Sequence, residues 1–158
     1  MSKLKLWKPF SLFMVLLLMS SLVAVVPARP VQANVSGITV NPYDTRIIGL
    51  NTGYLITMTT GATLNEGDNI TIVFPTGTNV SGVSSTNVFV QDELCATVAV
   101  SGQQVTVTMQ KITPIVPGQQ FTVTFNKACV ILNPTTSGSR TVTAWTTVET
   151  THVTSSSY

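Results

Sequence analysis

Apolar residues and threonines alternate along this chain with a period of two. The clearest case is Asn69-Ile70-Thr71-Ile72-Val73-Phe74, with Ile70, Ile72 and Phe74 on one side and Asn69, Thr71 and Val73 on the other. A strand points successive side chains to opposite faces, so this pattern builds a sheet with one buried face. Glu66-Gly67-Asp68 before it and Pro75-Thr76-Gly77 after it are turn chemistry. Glycine takes backbone angles that other residues resist, and proline cannot continue a central ladder. The same grammar recurs. Strands are expected over 38–40, 47–59, 69–74, 88–91, 96–101, 104–109, 120–126, 129–132 and 141–148. Ser101-Gly102-Gln103-Gln104 reads as a hairpin turn and Ile115-Val116-Pro117-Gly118 as another. Asn51-Thr52-Gly53 is expected to put a bulge or turn inside the long second strand. No stretch makes a convincing amphipathic helix. Short strands at this spacing predict an all-β fold, an Ig-like antiparallel β-sandwich in a single domain.

Residues 1–33 have a different composition and read as a cleaved secretory signal. Lys3, Lys5 and Lys8 form a basic start, an apolar run follows to Val26, and Val31-Gln32-Ala33 supplies small residues at a cleavage site. The alternative is an uncleaved anchor, since the run approaches the roughly 20 residues that span a bilayer. The domain plan is therefore 1–33 as signal peptide, 34–43 as an N-terminal arm or first strand, 44–149 as the sandwich, and 150–158 as a polar tail. Four cations and no acid lie in 1–33, so the formal +2 of the whole chain becomes −2 from residue 34 onward. So few charges argue against a phosphate-tracking patch, and no nucleic-acid partner is expected. A weakly charged Thr/Ser/Asn surface is compatible with close self-association.

Longer patterns are Tyr54-Leu55-Ile56-Thr57-Met58-Thr59-Thr60-Gly61, then Leu64-x-x-Gly67-Asp68-x-Ile70-x-Ile72-x-Phe74-Pro75-x-Gly77, then Gly118-x-x-Phe121-x-Val123 and Asn133-Pro134-x-x-x-Gly138, closed by Thr146-Thr147-Val148-Glu149 and Thr154-Ser155-Ser156-Ser157-Tyr158. Together they resemble the repeated Ig-like β-sandwich module of bacterial surface and S-layer-associated proteins. The resemblance spans most of 36–158. It implies an extracellular, non-catalytic building block and contributes no active-site residues. Such modules usually stand in tandem beside wall-binding domains, whereas here one module follows the signal, which makes assembly with copies of itself the more attractive expectation.

Little in the chain suggests chemistry. Cys95 and Cys129 are its two cysteines. An oxidising destination makes a Cys95–Cys129 disulfide the first reading, worth about 3–4 kcal/mol by loop entropy. Two buried thiols or an intermolecular bond are the other readings. His152, the sole histidine, sits in the polar tail with nothing obvious to orient it, and is expected to be solvated. Glu66-x-Asp68 and Asp92-Glu93 are the acidic clusters, read as loop solvation with a shared cation site as the alternative. No enzymatic activity, metal or cofactor is expected. Trp145 should face outward if Val142 and Ala144 face the core; a shifted register would bury it instead.

The functional expectation is a secreted or cell-surface structural subunit that polymerises into a filament or surface layer. The proposed interface residues are Val35, Ile38 and Val40 on the arm, offered to a neighbour by donor-strand exchange, together with Trp145. The simpler reading pairs 38–40 within its own domain. The competing function is an adhesive or carbohydrate-binding module with Trp145, Tyr43 or Tyr54 as a stacking platform. The partners expected are copies of the chain itself, with a glycan ligand as the alternative and no membrane contact after signal cleavage.

Overall fold

The structure is a computed structural model that describes residues 34–110 and 113–158. The signal-peptide expectation for 1–33 lies outside the described residues. Among the described residues twelve strands run in chain order: β1 (Ser36–Pro42), β2 (Asn51–Thr52), β3 (Tyr54–Thr59), β4 (Asn69–Val73), β5 (Val88–Val90), β6 (Glu93–Leu94), β7 (Thr97–Ser101), β8 (Gln104–Thr108), β9 (Gln120–Phe125), β10 (Ile131–Leu132), β11 (Thr143–Thr146) and β12 (Val153–Thr154). One five-stranded sheet has the order β1-β3-β9-β5-β6, and a second has the order β12-β11-β4-β8-β7. β2 and β10 form a small ribbon between the long connections. Every pairing in the sheets is antiparallel.

The alternation seen in the sequence is the alternation of burial in β3, β8 and β9, while in β4 Thr71 is buried as well, covered between its register partners Trp145 and Thr106. Tyr54, Ile56 and Met58 of β3 and Phe121, Val123 and Phe125 of β9 are buried, as are Ile70 and Ile72 of β4, Val105 and Val107 of β8 and Ala144 of β11. The two inner faces join in one continuous core, which makes the fold an all-β sandwich. Each fully buried Val, Ile or Phe contributes about 1.5–3 kcal/mol relative to exposure. Tyr54, Phe74 and Phe125 close one end of the core in edge-to-face contacts at 5.2 and 5.5 Å. Threonines take the outer faces. Thr39, Thr57 and Thr122 stand in cross-strand register on one sheet, and Trp145, Thr71, Thr106 and Ala99 on the other.

Three expected boundaries shift. The long strand expected over 47–59 becomes a loop, the short β2 and then β3, because Gly53 separates two pairing partners, β10 and β9. The strand expected over 129–132 begins instead with a 3-10 turn, Lys127–Cys129, and Val130 adopts a left-handed φ of 53°. The polar tail is not free: β12 pairs with β11, Ser155 N–H donates to Val142 O at 2.8 Å, and Val142 N–H donates to Ser155 Oγ at 3.0 Å. Short polar segments with no alternation of their own carry no strand signal. β12 exists because β11 offers it a ladder.

Candidate functional site

The arm is β1 of its own sheet. Val35, Ile38 and Val40 are all buried in the common core, and β1 pairs with β3 from Ser36↔Thr59 to Pro42↔Tyr54. Of the two sequence readings, the simpler one, pairing within its own domain, is the arrangement in the structure: the three residues fill their own core. The following loop ties the strand down further. Tyr43 Oη donates to Phe125 O at 3.2 Å, Asp44 Oδ2 accepts the Gly53 N–H at 2.8 Å, and Asn133 Nδ2 donates to Thr45 O and Ile47 O.

Trp145 faces outward, as the pattern predicts, with Val142 and Ala144 buried on the opposite side. Its partner is unexpected. The His152 imidazole stacks on the indole with ring centroids 3.8 Å apart and planes 15° from parallel. His152 is exposed but oriented, which corrects the expectation of a histidine with nothing to hold it. The β11–β12 turn brings the two together, a contact no local spacing rule would have flagged. One face of the indole is consequently occupied, leaving less of it as a sugar platform.

Cys95 and Cys129 are both buried free thiols, so the expected disulfide is corrected. Each thiol is committed to a different carbonyl of the Ser85–Asn87 turn: Cys95 Sγ donates to Ser85 O at 3.6 Å and Cys129 Sγ to Asn87 O at 3.1 Å. Burial pushes both thiols up, Cys129 to about 11, which keeps them protonated and unreactive.

The acidic clusters do not converge. Among the described residues no three His, Cys, Asp or Glu side chains come together as metal ligands would. Asp68 instead organises its own loop, Oδ2 accepting from Asn65 N–H at 2.7 Å and Oδ1 from Thr147 Oγ1 at 3.0 Å. The acid that sequence reading placed in the closing segment of the module but gave no site role is Glu149, fully buried. Its carboxylate accepts from Gly61 N–H at 2.7 Å and lies 2.9 Å from Thr60 Oγ1. Its burial carried no signal in the sequence, because its partners Thr60 and Gly61 lie far away along the chain.

The sheet edges differ sharply. β1 is blunted by a register shift between Ser36 and Thr39, by Gly37 at φ 60°, and by Pro42. β6 and β12 have two residues each. β7 is five residues long, in unbroken register with β8, and carries no charge and no proline. Thr97, Ala99, Val100 and Ser101 along it are exposed. An edge strand of this kind presents unpaired backbone groups with none of the usual blockers.

Away from the edges, a cavity of about 180 Å³ opens beside the aromatic end of the core, lined by Arg46, Arg140, Tyr54, Tyr158, Ile48 and Asn133 among others. Tyr54 Oη donates to Asn133 Oδ1 at 2.7 Å, and the Tyr158 ring meets the Tyr54 ring edge-on with centroids 6.2 Å apart. Among the described residues no helix is long and apolar enough to cross a membrane. Comparison with family models, with curated proteins and with solved structures returned no match.

Proposed function

We propose that this chain is a secreted structural subunit that assembles with copies of itself into an extracellular filament or surface layer, related in design to the Ig-like modules of bacterial surface proteins. The observation that carries the reading is β7, the one long sheet edge among the described strands without charge, proline or bulge. Strand addition along it supplies main-chain hydrogen bonds without any rearrangement. Donor-strand exchange by the arm, in contrast, would require β1 to withdraw Val35, Ile38 and Val40 from their own core first. The weak charge of the described surface favours close approach of copies. A carbohydrate-binding role has less support, since His152 already covers part of Trp145.

The test is an edge block. Ala99 and Ser101 are exposed on β7, so Ala99→Lys with Ser101→Lys leaves the core untouched. Wild-type protein lacking residues 1–33 is expected to elongate, seen by light scattering and electron microscopy, and the double variant to stay monomeric with an unchanged melting curve. A wild type that stays monomeric at high concentration, or a variant that elongates like wild type, would overturn the proposal.

A further inference from the structure

Charges among the described residues are sorted by end. The Tyr54–Phe74 ring contact places the start of β3 and the residue after β4 at the same end of the sandwich. Arg46, Lys127 and Arg140 all belong to that end: the first and last line its cavity, and Lys127 follows Phe125, the β9 partner of Tyr54. Asp44 is the acid that shares it, its carboxylate engaged by the Gly53 N–H. The opposite end is marked by Glu149, which meets the Thr60-Gly61 segment just after β3. Glu66 and Asp68 lie there too, in the loop that enters β4 and meets Met109 after β8. The β5–β6 turn carries Asp92 toward that side, with Gln91 bonded to Thr122 O and Gln120 O of β9.

We infer that the arginine-lined cavity is a carboxylate-binding site whose occupant is an acidic side chain, foremost Glu66, from the opposite end of a second copy. This deepens the assembly reading and rests on it for the identity of the partner. Three features of the cavity support it. Its lining holds two guanidiniums and no acidic side chain. It has the room of several waters, each about 30 Å³, enough to admit the tip of a side chain. Burial also keeps the Tyr54 and Tyr158 hydroxyls beside it protonated, so no phenolate competes for the guanidiniums. Guanidinium forks are well matched to carboxylates, and a contact between unlike ends repeats without closing, which gives an open chain. The end contact is too small to hold two copies by itself, so it extends only copies already paired through β7, and copies joined in both directions form a layer or a bundle.

Two single reversals test it, at Arg46 and at Glu66, both outside the hydrophobic core. Arg46→Glu makes the cavity end more acidic, and Glu66→Lys makes the acidic end more basic; melting curves should match wild type. Elongation of the Arg46→Glu protein alone is expected to slow by at least about tenfold at low salt, as is that of Glu66→Lys, because like charges then face each other. An equal mixture should recover, since the reversed cavity end of one variant meets the reversed loop of the other with opposite charge. Raising salt should slow wild type and erase the difference between variants. Wild type that elongates together with reversals that elongate equally well would overturn the end-to-end contact while leaving assembly through β7 standing. Wild type that never elongates would overturn both.

Discussion

The Tyr43 ring fills the space that a side chain at Gly53 would need: a Cβ built there would lie 2.2 Å from Tyr43 Cζ. The ring crosses the end of β1 and reaches the β9 strand through its hydroxyl on Phe125 O. Gly82 shows a harder version of the same constraint, since a Cβ there would meet the Cys129 carbonyl oxygen at 2.8 Å and Val130 Cβ at 3.0 Å. A ring can swing away, but a backbone carbonyl held in a turn cannot. Gly53→Ala is therefore expected to cost about 1–2 kcal/mol, chiefly the displaced Tyr43 contact, and Gly82→Ala more, at about 2–3 kcal/mol. Urea unfolding of the two variants beside Tyr43→Phe checks the order.

Glu149 should matter more to stability than any exposed acid. Replacing it by Ala strands the Gly61 N–H and leaves the neighbouring threonines short of an acceptor in a buried pocket. The expected loss is about 3 kcal/mol, against about 1 kcal/mol for Glu149→Gln, which keeps an oxygen for Gly61. Glu66→Gln, exposed in its loop, should change the unfolding midpoint by less than either.

The thiols give a pH signature. Native protein should react with iodoacetamide far more slowly than an exposed cysteine at pH 8, and denatured protein should take up two labels, counted by mass. Both thiols, and Tyr54 and Tyr158 with them, are pushed above their ordinary values by burial. The folded state therefore holds these protons more tightly than the unfolded chain. Stability is full below about pH 8.5, where the unfolded thiols begin to titrate, and falls as pH rises toward the folded value of about 11 for Cys129. A melting series from pH 7 to 11 checks the sign; constant stability across it would contradict the burial argument.

Trp145 is the single tryptophan after residue 33, which makes its stack on His152 readable by fluorescence. In protein lacking residues 1–33, His152→Ala should shift the emission to the red by exposing the indole. The fold should hold, because the pair stands on the outer face and β12 is anchored by Ser155 as well. His152→Phe, which can still stack, should restore the blue-shifted emission.

Legibility in the sequence followed the period of two. Ile70, Ile72 and Phe74, and likewise Val105 and Val107, announced both strand and buried face, because the pleat makes adjacent side chains diverge whatever the rest of the chain does. The outward setting of Trp145 followed from Val142 and Ala144 by the same rule. What local pattern could not carry was partnership. Whether Val35, Ile38 and Val40 seat in their own sheet or another depends on the groove beside β3, built from residues far along the chain. The stack of His152 on Trp145, the burial of Glu149 under the 60–62 loop and the commitment of each thiol to a carbonyl of one turn are likewise contacts between segments that only meet after folding. So is the sorting of Arg46 and Arg140 to one end and Glu66 to the other: charges scattered along the sequence acquire a direction once antiparallel strands return them to opposite ends of the sandwich. Alternation by itself determined which residues face inward; which residues face each other was decided by tertiary structure, because pairing energy depends on distances that only the closed sandwich creates.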